Sequence, residues 1–380
     1  MRAMAAGDLV AAEAALLQAL AVAPGYLPAW LNLAAVRRQR NDLDGAFQAI
    51  RQALTIDGRN FGALMMSATM LEREGRAVPA ALAYGAALAN APPEETMDAA
   101  MLQAVRRGRE VHGAYTRQLG EHIRGTIATA EDGCTATERR RLDSFINMTL
   151  RVQPRYQQAP YEYYYPGLPP IQFYERSEFP WLEQFEAQTD AIRAELASAL
   201  RESEADFTPY IHYGEHMPLD QWRELNNSPR WTSYEFYKQG KPIEERFLRA
   251  PATVRAMEAL PQAVVPLRSP CAMYSALQPR TRIPPHTGVA NFRLVVHLPL
   301  VLPPDCGFRV GSETREWRIG EAWVFDDTIE HEAWNNSDEP RYIFICDIWS
   351  PRLSPQERAA IAGVIAATDT FNGTVPSSSI

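Results

Sequence analysis

The chain has 380 residues, 46% of them apolar and 22% charged, with a formal net charge of −8. That length suits two domains, each burying its own core, and the composition excludes a fibre or an intrinsically disordered chain. The acidic balance argues against a nucleic-acid partner. Acidic residues follow both basic clusters, Arg37-Arg38-Gln39-Arg40 and Arg139-Arg140-Arg141, which read as solvated helix faces.

In chain order, the opening Met1–Ala6 reads as the tail of a helix. The N-terminus lacks a cationic start followed by an apolar stretch, and no apolar run reaches the ~18 residues of a membrane span. Neither a signal peptide nor a span is therefore expected. The first hundred residues are alanine-rich and repeat. Gly7-Asp8-Leu9, Asn41-Asp42-Leu43 and Gly75-Arg76-Ala77 are separated by 41 − 7 = 34 and 75 − 41 = 34 positions. Ala12, Ala46 and Ala80 fall in register, as do Ala19, Ala53 and Ala87, and Leu20, Leu54 and Leu88. Pro24, Gly58 and Pro92 mark the turn after the first helix of each unit. Small residues at fixed places let helices approach closely, and a 34-residue helix-turn-helix of this kind resembles the tetratricopeptide repeat. Such arrays offer a concave surface to a protein or peptide. Residues 1–95 are assigned to these repeats. Residues 96–155, with helices expected over 96–111 and 137–152, form a helical linker or cap.

The texture then changes. Tyr161-Glu162-Tyr163-Tyr164-Tyr165-Pro166-Gly167-Leu168-Pro169-Pro170 is aromatic and proline-rich, unsuited to a helix interior. One helix is expected near Trp181–Glu202, followed by short strands from about 207 to 350. Ser354-Pro355-Gln356-Glu357 is a capping box with proline at the first helical position. It starts a last helix that should end near Thr368, leaving 369–380 as a loose tail. Cys134, Cys271, Cys306 and Cys346 lie far apart with no CxxC pair, as expected of reduced thiols in a cytoplasmic protein.

The chemistry concentrates between Ser275 and Trp349. Read as a strand, Asn291–Leu300 puts Asn291, Arg293, Val295 and His297 on one face. Phe292, Leu294, Val296, Leu298 and Leu300 fall on the other. An apolar face backed by one bearing arginine and histidine suits the wall of a β-barrel with a polar interior. Pro284-Pro285-His286-Thr287-Gly288 reads as a turn delivering one histidine to that interior. After a strand over Glu321–Asp326, Asp327-Thr328-Ile329-Glu330-His331 delivers a second. Arg341 opens the strand Arg341–Trp349, ten residues beyond His331. Two imidazoles from different strands suit iron(II), which needs open positions for cosubstrate and oxygen. The carboxylate that usually stands two residues after the first histidine is replaced by Gly288. His212 and His216 read as packing or pocket rim.

The segments His286–His297, Phe325–Trp334, Arg341–Trp349 and Pro351-Arg352-Leu353-Ser354-Pro355 resemble the aspartyl/asparaginyl β-hydroxylase family, over roughly residues 160 to 365. Members bind iron through two histidines, with glycine in place of the carboxylate. The resemblance implies an α+β multidomain chain. Helical repeats are followed over 156–368 by a double-stranded β-helix, jelly-roll or cupin-like, with flanking helices. It implies an oxidoreductase that uses iron(II), 2-oxoglutarate and O2 to hydroxylate an aliphatic carbon, such as the β-carbon of an aspartyl or asparaginyl residue or a related amino acid. Position by position, His286 and His331 correspond to the metal ligands. Asp327 would hold the water in the third place. Arg341, Ser275 and His297 would bind 2-oxoglutarate, and Arg293 would face cosubstrate or substrate. Trp231 corresponds to a substrate-pocket wall. Ser233, Met273 and Val295 stand where the animal enzymes carry side chains that grip an acidic substrate, which leaves the substrate open among an aspartyl or asparaginyl residue, a free or carrier-bound amino acid, and an acyl chain. The competing class is a catalytically inactive repeat-containing adaptor, recognisable by a broken metal or cosubstrate set.

Overall fold

The computed structural model describes residues 8–202 and 204–373, so the expectation for Met1–Ala6 lies outside the described residues. The chain divides into two compact units, Met1–Gln153 and Pro154–Ile380.

The first unit is helical, with helices Leu9–Val22, Leu27–Gln39, Leu43–Ile56, Phe61–Arg73 and Ala77–Leu88. Local chemistry explains the repeated Gly/Asn-Asp-Leu signature. Asn41 and Gly75 take left-handed backbone conformations (φ 64° and 73°) that close the preceding helix. Asp8 and Asp42 then cap the next helix by accepting hydrogen bonds from the amides of Ala11 and Gly45, both at 2.9 Å. Ala46, Ala53, Ala80 and Ala87 are fully buried where these helices pack. This arrangement fits tetratricopeptide-like repeats. Arg37 is only partly solvated: its Nε donates to Glu13 at 2.8 Å, joining the first two helices. The helix expected over 96–111 is longer, Ala99–Glu131, and Ala136–Thr149 follows behind a Thr135/Glu138 capping box. Among the described residues, no helix is long and apolar enough to cross a membrane.

The second unit is built on two antiparallel sheets. Its strands are β1 (Thr208–Pro209), β2 (Trp231–Glu235), β3 (Tyr237–Lys238), β4 (Lys241–Pro242), β5 (Ala272–Leu277), β6 (Thr281–His286), β7 (Arg293–Val301), β8 (Cys306–Val310), β9 (Glu313–Arg315), β10 (Trp323–Phe325), β11 (His331–Asn335) and β12 (Arg341–Trp349). One sheet runs β1-β2-β5-β12-β7-β10 and the other β6-β11-β8-β9. From β5 onward, successive strands alternate between the two sheets in Greek-key fashion, apart from the β8–β9 hairpin, which lies within one sheet. That is the double-stranded β-helix, or jelly roll.

Alternation along β7 sets the two environments. Leu294, Val296, Leu298 and Leu300 are fully buried outside the barrel against Tyr274, Phe344 and helix Thr189–Glu202. Each such side chain contributes about 1.5–3 kcal/mol. That helix offers Ile192, Leu196 and Ala199 at helical spacing, and a break at 187–188 separates it from Leu182–Glu186, which corrects the single helix expected over 181–202. Arg293, Val295 and His297 face inward. The inner core includes Ile283, Phe308, Phe325, Ile329 and Ile343.

The last helix has the expected Ser354/Glu357 box but runs to Asn372 rather than Thr368, ending at Gly373 with φ 60°. It continues because Asp369 is buried and paired with Arg268 at 2.7 Å, which anchors what was expected to be the start of a loose tail.

Candidate functional site

His286 is the last residue of β6, not part of a turn, and His331 is the first of β11; the two are register partners. Their ring centroids lie 4.1 Å apart. Each Nδ1 meets a backbone carbonyl two residues earlier, Pro284 at 2.8 Å and Ile329 at 3.1 Å. As donors to these carbonyls, the Nδ1 atoms carry the protons and leave the lone pair on Nε2. Burial holds both rings neutral. It pulls His286, which also feels His331, down to about 3, and His331 to about 4. Two neutral imidazoles in one tautomer form a donor set for a divalent metal. Among the described residues, no group of three or more His, Cys, Asp or Glu side chains is arranged to hold a metal ion.

Gly288 explains why a third protein ligand is missing there. A Cβ at this position would lie 2.0 Å from Oδ2 of Asp327, so Asp327 occupies the space a side chain at 288 needs. The Gly288 amide donates to the Asp327 carbonyl at 2.7 Å, tying together the chain after His286 and the chain before His331. The proline-rich segment straps the same turn, with the Tyr161 amide on the Gly288 carbonyl at 2.8 Å. Asp327 Oδ2 accepts from Arg293 at 3.0 Å, while its buried Oδ1 has no partner. Asp327, then Asp347, hold the Arg293 guanidinium above its ordinary value against the cost of burial. Gly288→Ala should therefore push Asp327 off Arg293 and destabilise the domain by roughly 1–3 kcal/mol, readable by urea denaturation. Unchanged stability would mean the Asp327 side chain is free to swing away.

Arg341 is 2% exposed, and among the described residues no carboxylate pairs with it. Its guanidinium lies over Trp317 at 5.0 Å, its Nε has no partner, and burial pulls it down to about 10, still cationic at neutral pH. His297 feels both this cation and His331. Burial, then Arg341, hold it well below the ordinary range, and its buried Nδ1 is unpartnered. Phe308 and Phe325 wall it at 5.0 and 4.7 Å. Ser275 accepts from Trp231 Nε1 at 3.2 Å. A buried cation without a counter-charge costs the fold stability, and an anionic ligand is what offsets that cost.

Several residues that the sequence reading passed over complete the site. Tyr210 stacks on Trp231 at 4.2 Å, and Trp222 lies edge-on to His286 at 5.1 Å. His212 and His216 line a cavity of about 470 Å³ with Met217 and Asn226. Asp347, on the inner face of β12, is 2% exposed. Its Oδ1 accepts from the Cys271 amide at 2.8 Å and its Oδ2 has no partner. Burial, partly offset by Arg293, raises its carboxyl to about 7, with Asp327, Cys271, Cys346 and Tyr237 the other titratable groups around it. A carboxyl raised in the fold binds protons more tightly there than in the unfolded chain, so stability falls as pH rises from about 4 to 7. Asp347→Asn should raise the melting temperature by several degrees at pH 8 and leave it nearly unchanged at pH 4. An equal shift at both pH values would exclude charge as the cause.

A jelly roll holding two neutral histidines and an unpaired buried arginine defines the class. Residues 186–351 match the family model described as Aspartyl/Asparaginyl beta-hydroxylase. The human aspartyl/asparaginyl beta-hydroxylase is 36% identical over 152 residues, 40% of this chain and 20% of that protein. The ornithine lipid ester-linked acyl 2-hydroxylase of Rhizobium tropici is 31% identical over 193 residues, 50% of this chain and 63% of that protein. Aspartate beta-hydroxylase domain-containing protein 2 of Xenopus tropicalis is 28% identical over 232 residues, 58% of this chain and 60% of that protein. The chain thus spans between a fifth and two thirds of these relatives. The segment of the C-terminal domain over residues 186–351 is similar to the aspartyl/asparaginyl β-hydroxylase family.

Proposed function

We propose that the C-terminal domain is an iron(II)- and 2-oxoglutarate-dependent dioxygenase that hydroxylates an aliphatic carbon. The observation that carries this reading is the buried Arg341 guanidinium of the six-stranded sheet, without a carboxylate partner among the described residues, together with two neutral, tautomer-fixed histidines of the four-stranded sheet. His286 and His331 would hold the metal through Nε2. Arg341 would take the distal carboxylate of 2-oxoglutarate in two parallel hydrogen bonds, with Ser275 and His297 completing that end. Asp327 would orient water at the metal through its unpartnered Oδ1 while fixing Arg293. Trp231, held by Tyr210, would wall the substrate side.

When bound, iron(II) and 2-oxoglutarate supply oxidative decarboxylation with O2, giving succinate, carbon dioxide and a hydroxylated carbon. The protein supplies position and a largely buried, desolvated floor.

The reading extends to the rest of the chain. Residues 1–95 serve as repeats that dock a protein or peptide, 96–155 as their cap, and 156–368 as the catalytic domain. Four cysteines far apart in the sequence with no CxxC pair suit a reducing, cytoplasmic setting. The inactive-adaptor reading requires a broken metal or cosubstrate set, and His286, His331, Arg341, Ser275 and His297 are all present.

The test needs no substrate. Apoprotein mixed anaerobically with iron(II) and 2-oxoglutarate should develop the visible charge-transfer band of a chelated 2-oxo acid. Failure to bind both metal and cosubstrate would leave the adaptor.

A further inference from the structure

The inner face of the six-stranded sheet has a second polar end, beyond the histidines and away from Arg341. Here β2, β5, β12 and β7 bring together Glu235, Cys271, Asp347 and Arg293. Glu235 pairs in register with Met273, Met273 with Ile345, and Asp347 with Val295. Tyr210 stacks on Trp231 of the same face, and its hydroxyl feels Arg293, Cys271, Asp327 and Glu235. The floor is buried: Asp347, Asp327 and Arg293 are 2%, 7% and 8% exposed. The rim is open, with Glu235, Cys271 and Met273 half-buried and Tyr210 exposed.

Each floor side chain has one buried atom without a hydrogen-bond partner: Asp347 Oδ2, Asp327 Oδ1 and Arg293 Nε. Buried polar atoms in native proteins are almost always satisfied, so a concentration of orphans on one floor below half-buried rim residues points to a ligand. The charge there decides which ligand. On the floor one guanidinium, already engaged by Asp327 at 3.0 Å, stands beside two carboxyl groups, Asp327 and Asp347, while Glu235 on the rim also faces Arg246, Lys238 and His212. Ser233, Met273 and Val295 add no cation. An aspartyl carboxylate reaching the floor would meet the Asp347 carboxyl, at a cost in affinity, whereas an ammonium group would find Asp347 Oδ2 left over as an acceptor.

We propose that Asp347 and Glu235 form a subsite for an ammonium group, so that this domain selects an amine-bearing substrate over an acidic one. The inference names the substrate class of the hydroxylase site proposed above and rests on that reading. Asp347 supplies the buried contact through Oδ2, its Oδ1 being held by the Cys271 amide, and Glu235 guides the cation in from the rim. The carbon to be hydroxylated then lies on the chain that runs from this group toward the histidines.

The experiment uses the full chain loaded anaerobically with iron(II) and 2-oxoglutarate, and two probes of one length and opposite charge: hexylammonium and hexanoate. Binding is measured by calorimetry in the wild type, Asp347→Asn and Glu235→Gln. One charge-assisted hydrogen bond corresponds to a preference of about tenfold or more for hexylammonium. Asp347→Asn should reduce that preference to under about threefold, and Glu235→Gln should reduce it in part. Equal or tighter binding of hexanoate, no measurable binding of hexylammonium, or a preference that survives both substitutions would overturn the proposal. Glu235 is half-buried on the rim, so its variant decides the matter if Asp347→Asn fails to fold. The chelate band in the same sample reports the hydroxylase reading separately. A band without amine preference removes this subsite alone. Amine preference without a band keeps the subsite and removes the oxygenase.

Discussion

Replacing Arg341 by methionine should weaken 2-oxoglutarate binding by roughly 100-fold or more and at the same time make the apoprotein more stable. The two effects have one origin. Arg341 is a fully buried cation with no carboxylate among the described residues to pair with it. The empty site therefore carries an uncompensated desolvation cost, and a well-packed apolar side chain of similar volume removes it. Methionine also keeps the contact with the Trp317 ring. In the loaded protein the balance reverses. A guanidinium fork on a carboxylate makes two charge-assisted hydrogen bonds of about 1.5–3 kcal/mol each, and methionine makes neither. Melting curves with and without 2-oxoglutarate measure both sides. The wild type should gain several degrees from millimolar cosubstrate, and Arg341→Met should start higher and gain nothing. If Arg341→Met lowers apoprotein stability and keeps the cosubstrate response, the guanidinium is structural and the anion site lies elsewhere.

His331→Ala should cost metal affinity well over the ~10–100-fold typical of losing an outer-shell partner, because it leaves a single imidazole. His286→Ala should do the same. Both rings are held neutral by burial and oriented by their Nδ1 contacts, so neither variant leaves a residue able to substitute. Anaerobic equilibrium dialysis with iron(II) measures the loss directly, and the 2-oxo acid chelate band should vanish with it. His212→Ala and His216→Ala, in the cavity with Met217 and Asn226, are the controls and should bind metal as the wild type does. Retained metal affinity in both His286→Ala and His331→Ala would disprove the ligand assignment. Near-UV circular dichroism checks that Phe308 and Phe325, which pack near His331, keep their places.

The helical and β halves were legible because their signals are local. Asp42 caps a helix three residues from its partner amide, and the 34-residue spacing recurs within one stretch of chain. Leu294, Val296, Leu298 and Leu300 alternate along a single strand. Errors appeared where local rules compete. His286 ends a strand although two prolines precede it, since a strand at the end of the sheet order tolerates missing donors. The last helix outran its expected end because Asp369 found Arg268, 101 positions away. Asp347, Tyr210, Trp222 and Trp317 carry no motif, and only the register of distant strands brings them to the site.

What the sequence determined by itself was the division into repeats and barrel, the two-faced strand, and the set His286, His331, Arg341 with glycine at 288. These follow from periodicity, capping and motif, which act over a few residues. Only the tertiary structure decided that both histidines are neutral with Nδ1 engaged and that the Asp327 carboxylate fills the space above Gly288. The same is true of Arg341, buried without a counter-charge, and of Asp347, left with an orphaned oxygen beside Arg293. Desolvation and hydrogen-bond satisfaction depend on every element that packs around an atom, and in this domain those elements come from segments tens to hundreds of residues apart.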